Sequence, residues 1–214
     1  MPNLNALNGH TSGTIDASSV ATVTGAAAAI VTAYTAGGVS GLGNEAVTVT
    51  GLSSVSASDL NAIDAGTSGV VSAATVTALT GTASAVAAAY ASSGIGGLGN
   101  EAVTLSDTVA TALDLNAVNA ATTGAVNMTS VLTVIGSLSD LTTTYTAAGF
   151  TGRGNEALTL SDATVTASAL TALDLLTTGV IDAVTVMVWD EAVGTYVRPQ
   201  PPWYPQAAVS HARV

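Results

Sequence analysis

The chain has 214 residues, of which 48% are hydrophobic, 4% are aromatic and 8% are charged. It contains no Lys and no Cys, and its 14 acidic residues give a formal net charge of −11 at pH 7. That charge argues against binding to a nucleic-acid backbone and against docking on anionic membranes, which both need clustered basic residues. The absence of Cys excludes disulfides and thiolate metal sites. No apolar run reaches the ~18 residues that predict membrane insertion.

Short runs rich in Val, Thr, Ile and Leu predict seven strands. They are Val20–Thr24, Val47–Thr50, Thr75–Thr80, Val103–Ser106, Leu132–Ile135, Leu158–Ser161 and Val184–Val188. Stretches rich in Ala or Leu between these runs predict six helices. They are Ala26–Ala36, Ala57–Ala65, Ala83–Ala91, Val109–Ala120, Leu138–Ala147 and Ala163–Leu176.

The ends of the predicted helices carry residues that are typical of helix caps. Asp107 and Asp162 precede helices and can accept hydrogen bonds from free backbone N–H groups. Ser137 and Asp140 have the spacing of a capping box. Glycines follow the helices, and we expect them to form left-handed C-caps. These glycines are Gly37, Gly69, Gly94, Gly124, Gly149 and Gly179.

Three markers recur in one register every 55 or 56 residues. They are the Gly-Asn-Glu-Ala segments beginning at Gly43, Gly99 and Gly154, the Leu-Asn-Ala-Leu type segments beginning at Leu4, Leu60, Leu115 and Leu170, and the tyrosines Tyr34, Tyr90 and Tyr145. Each long repeat divides into half-repeats of about 26 to 30 residues, each holding a strand and a helix. Such units make parallel strands by right-handed crossover and must stack to bury their apolar faces.

The pattern therefore predicts a right-handed α/β solenoid of about seven strand–helix coils with one parallel sheet, similar in topology to a leucine-rich repeat. An open doubly wound sheet is the alternative fold. We expect the solenoid to span residues 1–186, and a C-terminal cap with a Pro-rich and aromatic arm to span residues 187–214.

Alternation along the predicted strands places hydroxyl side chains on the open face of the sheet. The residues concerned are Thr22, Thr48, Thr77, Thr104, Thr133 and Thr159. A solvated strand face is the simple interpretation, and an ice-binding surface or a face for a partner or glycan is the alternative. Asn5, Asn61 and Asn116 recur in the helices, and we expect their amides to bond carbonyls of a neighbouring coil.

The sequence offers little for catalysis, because its two histidines, His10 and His211, lie at opposite ends of the chain. A catalytic triad or a His-based metal site is therefore not expected, and we predict a protein that is not an enzyme and holds no cofactor. Glu45, Glu101 and Glu156 occupy equivalent loops. We expect them to be solvated, with weak Ca²⁺ binding as the alternative.

The C-terminal segment departs from the repeat. Val184–Asp190 and Thr195–Val197 are predicted to pair as a closing hairpin around Glu191–Gly194. Both Trp and two of the five Tyr lie from this hairpin onward, and aromatic residues of this kind commonly anchor interfaces. The segment can act as a cap, as an interface, or as both. The predicted interface residues are Trp189, Tyr196, Trp203 and Tyr204.

The combination Gly-Leu-Gly-Asn-Glu-Ala-Val-Thr-Leu-Ser-Asp at Gly97–Asp107, then Leu115-Asn-Ala-Val and a Thr-Thr-Gly turn, resembles repeats of very large surface proteins of marine and cyanobacterial origin. Similar arrays occur in phage structural proteins. The resemblance covers about residues 4–185 and implies an extracellular or virion-surface role without catalysis. The small number of repeats and the C-terminal arm favour a short building block over a giant adhesin.

Together these features predict a structural subunit of a surface assembly, such as a virion appendage, decoration or fibre, or a cell-surface layer or filament. We expect a homo-oligomer whose partners are itself or other structural subunits, with no nucleic acid and no membrane insertion. The first twenty residues lack the basic and apolar regions of a conventional signal peptide, which favours a virion. The alternatives are an ice-binding protein and a glycan-binding adhesin.

Overall fold

A computed structural model describes residues 4–51, 54–183 and 186–197, and there the chain is α/β, with short helices and strands alternating throughout. The helices are α1 (Leu4–His10), α2 (Ala27–Thr35), α3 (Ala57–Gly66), α4 (Ala83–Ala91), α5 (Ala112–Ala121), α6 (Leu138–Thr146) and α7 (Ala167–Asp174). The strands are β1 (Ile15–Asp16), β2 (Thr22–Gly25), β3 (Val39–Ser40), β4 (Ala46–Val49), β5 (Val55–Ser56), β6 (Val71–Ser72), β7 (Ala78–Gly81), β8 (Ile95–Gly96), β9 (Ala102–Leu105), β10 (Val109–Thr111), β11 (Val126–Asn127), β12 (Thr133–Gly136), β13 (Phe150–Thr151), β14 (Ala157–Leu160), β15 (Thr164–Thr166), β16 (Ile181–Asp182), β17 (Met187–Asp190) and β18 (Thr195–Val197).

Each helix and the strands that follow it form one unit, and the described residues make seven units in chain order. Units 1, 3 and 5 contain two strands, whereas units 2, 4 and 6 contain a third strand before the next helix begins. The third strand lengthens the even units. This alternation explains why the half-repeats of the sequence are alternately shorter and longer.

The strands pair in parallel with strands 23 or 24 residues further along the chain, as in Val23 with Val47, Val47 with Val71, and Val71 with Ile95. Among the described strands only the last pair, β17 with β18, is antiparallel. The pairing makes five sheets instead of the single parallel sheet that the sequence predicts, so that prediction is wrong. The sheets are β1-β3, β2-β4-β6-β8, β5-β7-β9-β11-β13, β10-β12-β14-β16 and β15-β17-β18.

The extra strand of the even units is the physical reason for the division into several sheets. From an odd unit to the next even unit, first strands pair with first strands and second with second, as in β1 with β3 and β2 with β4. From an even unit to the next odd unit, the second strand pairs with the first and the third with the second, as in β4 with β6 and β5 with β7. Each sheet therefore ends after a few strands, and another continues beside it.

The helices lie in one row, because each helix packs against the next from α1 to α7. In α2 to α5 buried residues recur three apart; Leu60 and Ile63 of α3, for example, are fully buried. Small residues let neighbouring units approach, and a Cβ built on Gly136 would lie 2.7 Å from the Cβ of Ala112. The arrangement is consistent with a solenoid-like α/β fold.

Two predicted helices begin later than the sequence suggests, because Val109–Thr111 and Thr164–Thr166 form strands β10 and β15. The predicted closing hairpin is confirmed: β17 pairs with β18 across Glu191–Gly194. β17 also pairs in parallel with β15, so the repeat of parallel pairing continues to Trp189.

The acidic caps act between units. Asp107 Oδ2 accepts a hydrogen bond from the N–H of Ala83, the first residue of α4, and Asp162 Oδ2 accepts one from the first residue of α6. They therefore cap helices that begin 24 residues earlier, and not the helices that follow them. At the predicted capping box the N-cap bond is confirmed, since Ser137 Oγ accepts from the Asp140 N–H at 3.1 Å, and the Asp140 carboxylate accepts from the Ser137 hydroxyl at 2.7 Å.

The prediction of left-handed glycine C-caps is wrong, because none of the six glycines has a positive φ. Three of them are required for close packing instead. A Cβ on Gly69, Gly124 or Gly179 would lie within 2.3 Å of the carbonyl oxygen of a glutamate in the preceding unit. These glycines follow their helices because the loop of the preceding unit lies against that point of the backbone.

Candidate functional site

The main repeated site is a loop that carries one buried glutamate in each even unit. Glu45, Glu101 and Glu156 lie just before β4, β9 and β14, and their side chains are 1%, 0% and 1% exposed. The prediction that these glutamates are solvated is wrong. Arg153 precedes Glu156 by three residues, but no basic residue lies near Glu45 or Glu101 in the sequence, so the burial of those two must be compensated by hydrogen bonds.

A tyrosine in the preceding helix supplies one of those bonds. The hydroxyls of Tyr34, Tyr90 and Tyr145 donate to the glutamates of their own units, with distances of 2.9 Å for Tyr90 to Glu101 and 2.7 Å for Tyr145 to Glu156. Each tyrosine precedes its glutamate by 11 residues. The pair therefore connects the end of a helix to the loop before the long strand.

The loop backbone supplies the second donor. The N–H of the glycine two residues before each glutamate donates to a carboxylate oxygen over 2.8 to 2.9 Å. Gly43, Gly99 and Gly154 have φ values of 138°, 138° and 130°, a region that favours glycine and turns the N–H toward the carboxylate. This requirement explains the first glycine of the Gly-Asn-Glu-Ala marker.

A threonine of the following unit fixes the same loop from outside. The hydroxyls of Thr67 and Thr122 donate to the carbonyl oxygens of Glu45 and Glu101 at 2.7 Å. The Thr67 hydroxyl also accepts from the N–H of Gly69 at 3.0 Å. The buried glutamate, the preceding helix and the following unit are thus joined through one loop.

The three sites differ in how completely the carboxylate is satisfied. Glu45 Oε1 and Oε2 both accept from the N–H of Gly43, and Oε2 also accepts from Asn44. The Oε1 atoms of Glu101 and Glu156 are buried, with no hydrogen-bond partner among the described residues. The unpaired oxygens make the second and third sites more sensitive to loss of the tyrosine hydroxyl.

The electrostatics keep each tyrosine as the donor and the first glutamate as the acceptor. Burial, together with the hydrogen bond to the carboxylate and its charge, raises the pKa of Tyr34 well above its ordinary value. Burial opposes ionisation of Glu45, but the bonds from Tyr34 and the loop amides outweigh it and lower the pKa of that carboxyl. An ionised Glu45 bonded to a neutral Tyr34 is therefore the state at neutral pH.

The three glutamates lie in different units, and the described residues contain no group of three or more His, Cys, Asp or Glu side chains that could hold a metal. Calcium takes six to eight oxygen ligands, and each carboxylate here already accepts bonds from a tyrosine and an amide. The arrangement keeps a buried carboxylate hydrogen-bonded to both a helix and a loop.

The asparagines in the helices behave as the sequence predicts. The side-chain amides of Asn5, Asn61 and Asn116 donate to carbonyl oxygens of the next helix in the row, at 2.8, 2.9 and 3.0 Å. The expected bonds between neighbouring units are therefore confirmed.

The six threonines predicted to share one face do not form a single row. Thr48, Thr104 and Thr159 lie on β4, β9 and β14, which belong to three different sheets. Thr22 and Thr133 are paired with alanines of the next strand along the sheet, and Thr77 lies just before β7. A continuous polar row does occur within one sheet, where Ser56, Thr80, Thr104, Asn127 and Thr151 pair in succession.

Two of the predicted interface aromatics lie in contact at the C-terminal hairpin. The ring centroids of Trp189 and Tyr196 are 5.0 Å apart in an edge-to-face arrangement. Together with Thr164 and Thr166 they line a shallow depression, and Tyr196 is 52% exposed. Trp203 and Tyr204 lie outside the described residues.

The role of the tyrosines as partners of the glutamates was missed from the sequence, although both recur at a constant spacing of 11 residues. That constant spacing is the signal that could have identified the pair.

Comparison with known proteins gives no match: no family model, curated protein or solved structure is similar to this chain. The longest described helices have 10 residues, and none of those in the described part of the chain is long and apolar enough to span a membrane.

Proposed function

We propose that this chain is a non-enzymatic structural protein that stacks as a right-handed solenoid and serves in a surface assembly, such as a virion appendage or a cell-surface layer. It self-associates through its ends and through its C-terminal arm. Its partners are other copies of itself or other structural subunits.

The observation that carries the proposal is the incomplete burial of the two terminal helices. Leu60 and Leu115 are 0% exposed, whereas the equivalent residues Leu4 of α1 and Leu170 of α7 are only partly buried. Leu7 is 54% exposed, although its equivalent in α3, Ile63, is 0% exposed. Apolar residues that the described part of the chain leaves uncovered at the ends of a repeat array favour contacts with another subunit.

The repeated Tyr–Glu loops support a structural role. In these loops the tyrosine and the buried glutamate connect the helix of an even unit to its loop, and a threonine of the next unit bonds the same loop. Such a use of buried charge favours one fixed arrangement of units, which suits a building block. The surface charge of the chain supplies solubility between contacts.

Light scattering of the full chain over a range of concentrations tests the proposal. We expect particles larger than a monomer, whose size falls when Trp203 and Tyr204 are both replaced by Ala or when residues 198–214 are deleted. Gln200→Ala is the control within the same arm and should leave assembly unchanged. A full-length chain that remains a monomer at every concentration contradicts the proposal.

Ice binding is a second candidate, favoured by the row of Ser56, Thr80, Thr104, Asn127 and Thr151 on adjacent parallel strands. Parallel strands repeat at about 4.8 Å, so the row presents polar groups at a regular spacing. Thermal hysteresis is the measurement. Thr104→Tyr should abolish the activity and Thr22→Tyr, outside the row, should retain it; no activity in the parent chain removes this candidate.

A further inference from the structure

Strand β2 has a free edge in the part of the chain that the structure describes. Strands β7, β12 and β17 hold the same place in units 3, 5 and 7, and each has a neighbour on both sides. On one side, β7 pairs with β5, β12 pairs with β10, and β17 pairs with β15. The equivalent place beside β2 is occupied by no described strand, because β2 pairs only with β4.

The free edge presents backbone groups that can accept another strand. The N–H groups of Ala46 and Thr50 donate to the carbonyls of Ala21 and Gly25, which therefore face β4. Alternate residues of a parallel strand direct their backbone groups to opposite edges. The N–H and C=O of Thr24 thus face the free edge, as those of its equivalent Thr80 face β5.

An apolar groove lies at this edge. Leu4, Val23, Ala29, Ile30 and Ala33 contribute to its walls. Val23 and Ile30 are buried, but Leu4 is only partly buried and Ala29 is exposed, whereas their equivalents Leu60 and Ala85 are fully and partly buried. Beside Leu79 of β7, the corresponding position is held by Val55 of β5. The groove therefore fits an occupant that places a small apolar side chain at that position beside β2.

We propose that residues 206–212 of a second copy add to β2 as a parallel strand and fill this groove; this inference rests on the self-association proposed above and names its site. The segment Ala208-Val209-Ser210-His211-Ala212 repeats the small-Val-Ser-x-small pattern of β5 and its flanks, Ser54-Val55-Ser56-Ala57-Ser58. Val209 would then lie beside β2 as Val55 of unit 2 lies beside β7.

Charge and length favour the same occupant. All 14 acidic residues precede residue 198, whereas Arg198 and Arg213, two of the three basic residues, lie beyond it. The arm is therefore basic and the body is acidic, so the two attract each other. Eleven residues lie between Val197 and Val209, and the segment spans up to about 40 Å when extended, enough to reach a neighbouring copy.

The contact is head-to-tail, because the arm of one copy binds the first unit of the next. Such an interface joins different surfaces of the two copies and produces chains instead of closed pairs. Main-chain hydrogen bonds provide the affinity and the side-chain pocket provides selectivity, as in other cases of strand addition.

Sedimentation velocity of the full chain over a concentration series tests the inference. Thr24→Pro removes the free-edge N–H and leaves the bonds to β4, because proline is tolerated on an edge strand where its nitrogen faces solvent. Thr24→Val keeps the N–H and is the matched control. Val209→Asp places a charge in the groove, with Val209→Ile as its control. We expect T24P and V209D to raise the concentration for half-assembly at least about tenfold, and the controls to leave it unchanged.

Mixing the two defective copies gives a sharper result. The T24P copy keeps its arm and the V209D copy keeps its edge, so the mixture should form one-to-one dimers that do not grow further. Residue 209 follows the seven described units in the sequence, so V209D tests the inference even where T24P perturbs the first unit.

The other outcomes overturn the inference in distinguishable ways. Assembly of the parent chain that neither T24P nor V209D weakens places the contact elsewhere and leaves the proposed function standing. A monomeric parent chain destabilised equally by both changes means that the arm occupies the edge of its own copy. A monomeric parent chain that neither change affects removes both the inference and the proposed function.

Discussion

Replacing Tyr90 by Phe removes the hydroxyl that donates to Glu101 Oε2 over 2.9 Å and keeps the aromatic ring. Glu101 is 0% exposed, and its carboxylate then keeps one donor, the N–H of Gly99 at 2.8 Å. Its Oε1 already has no partner among the described residues. A hydrogen bond to a charged group contributes about 1.5–3 kcal/mol, so we expect Tyr90→Phe to lower the free energy of unfolding by about 2–3 kcal/mol at neutral pH.

The same substitution at Tyr34 should be milder. Glu45 keeps three backbone hydrogen bonds without the tyrosine, two from Gly43 and one from Asn44, and both of its oxygens remain satisfied. We therefore expect Tyr34→Phe to cost about 1 kcal/mol, near the ordinary value of one hydrogen bond.

Tyr145→Phe separates the number of hydrogen bonds from the position in the chain. Tyr145 lies in α6, toward the opposite end of the helix row from Tyr34, but Glu156 has the same unpaired Oε1 as Glu101. If hydrogen bonding decides the cost, Tyr145→Phe resembles Tyr90→Phe. If fraying of the terminal units decides the loss of stability instead, the loss for Tyr145→Phe resembles that for Tyr34→Phe.

Urea denaturation followed by far-ultraviolet circular dichroism measures the three costs. Repeat arrays can unfold unit by unit, so hydrogen exchange at α2, α4 and α6 provides a local measurement of the same quantity. Equal losses for the three variants, or the largest loss for Tyr34→Phe, would refute the assignment of the unpaired oxygens.

Gly124→Ala should lower the free energy of unfolding, measured by urea denaturation, by about 3 kcal/mol or more, because its Cβ would lie 2.2 Å from the carbonyl oxygen of Glu101. Gly96→Ala is the control: nothing lies within 4 Å of its Cβ, so the free energy of unfolding should change by less than about 0.5 kcal/mol. Asp107→Ala should cost about 1 kcal/mol and increase hydrogen exchange at the start of α4, where its carboxylate accepts from Ala83, with no equal change at the start of α5. Lowering the pH should destabilise the fold through Glu45: its pKa lies below the ordinary value of 4.5, so its contribution is complete above that value and is lost as the pH falls through the folded-state pKa. In a pH series of urea midpoints Glu45→Gln should flatten that acid slope, and an unchanged slope would show that other carboxyls are responsible.

The repeat and most long strands could be predicted from the sequence, because alternating Val and Thr in segments such as Val47–Thr50 carry a clear period of two residues. The two-residue strands could not. Val71–Ser72 is too short to alternate, and it is a strand only because β4 and β8 lie beside it. The division into several sheets was missed for a related reason, since pairing 23 or 24 residues apart is a property of the stack and not of any single segment.

The buried glutamates were mispredicted because residue type alone favours solvent exposure for a carboxylate. Burial of Glu101 depends on the N–H of Gly99 and the hydroxyl of Tyr90, which the fold brings together from a loop and a helix. By contrast, the role of Asn61 could be predicted, because a polar residue on the apolar face of a helix needs a partner in whatever lies against it.

The cap that Asp107 places on α4 has a consequence for folding on the ribosome. The carboxylate that completes the first turn of α4 is synthesised 24 residues after that turn begins, and Asp162 completes α6 after the same delay. Helices α4 and α6 therefore gain this stabilising contact only when the residue that supplies it has emerged from the exit tunnel. Structure should accordingly consolidate in the direction of translation, one unit behind the growing end.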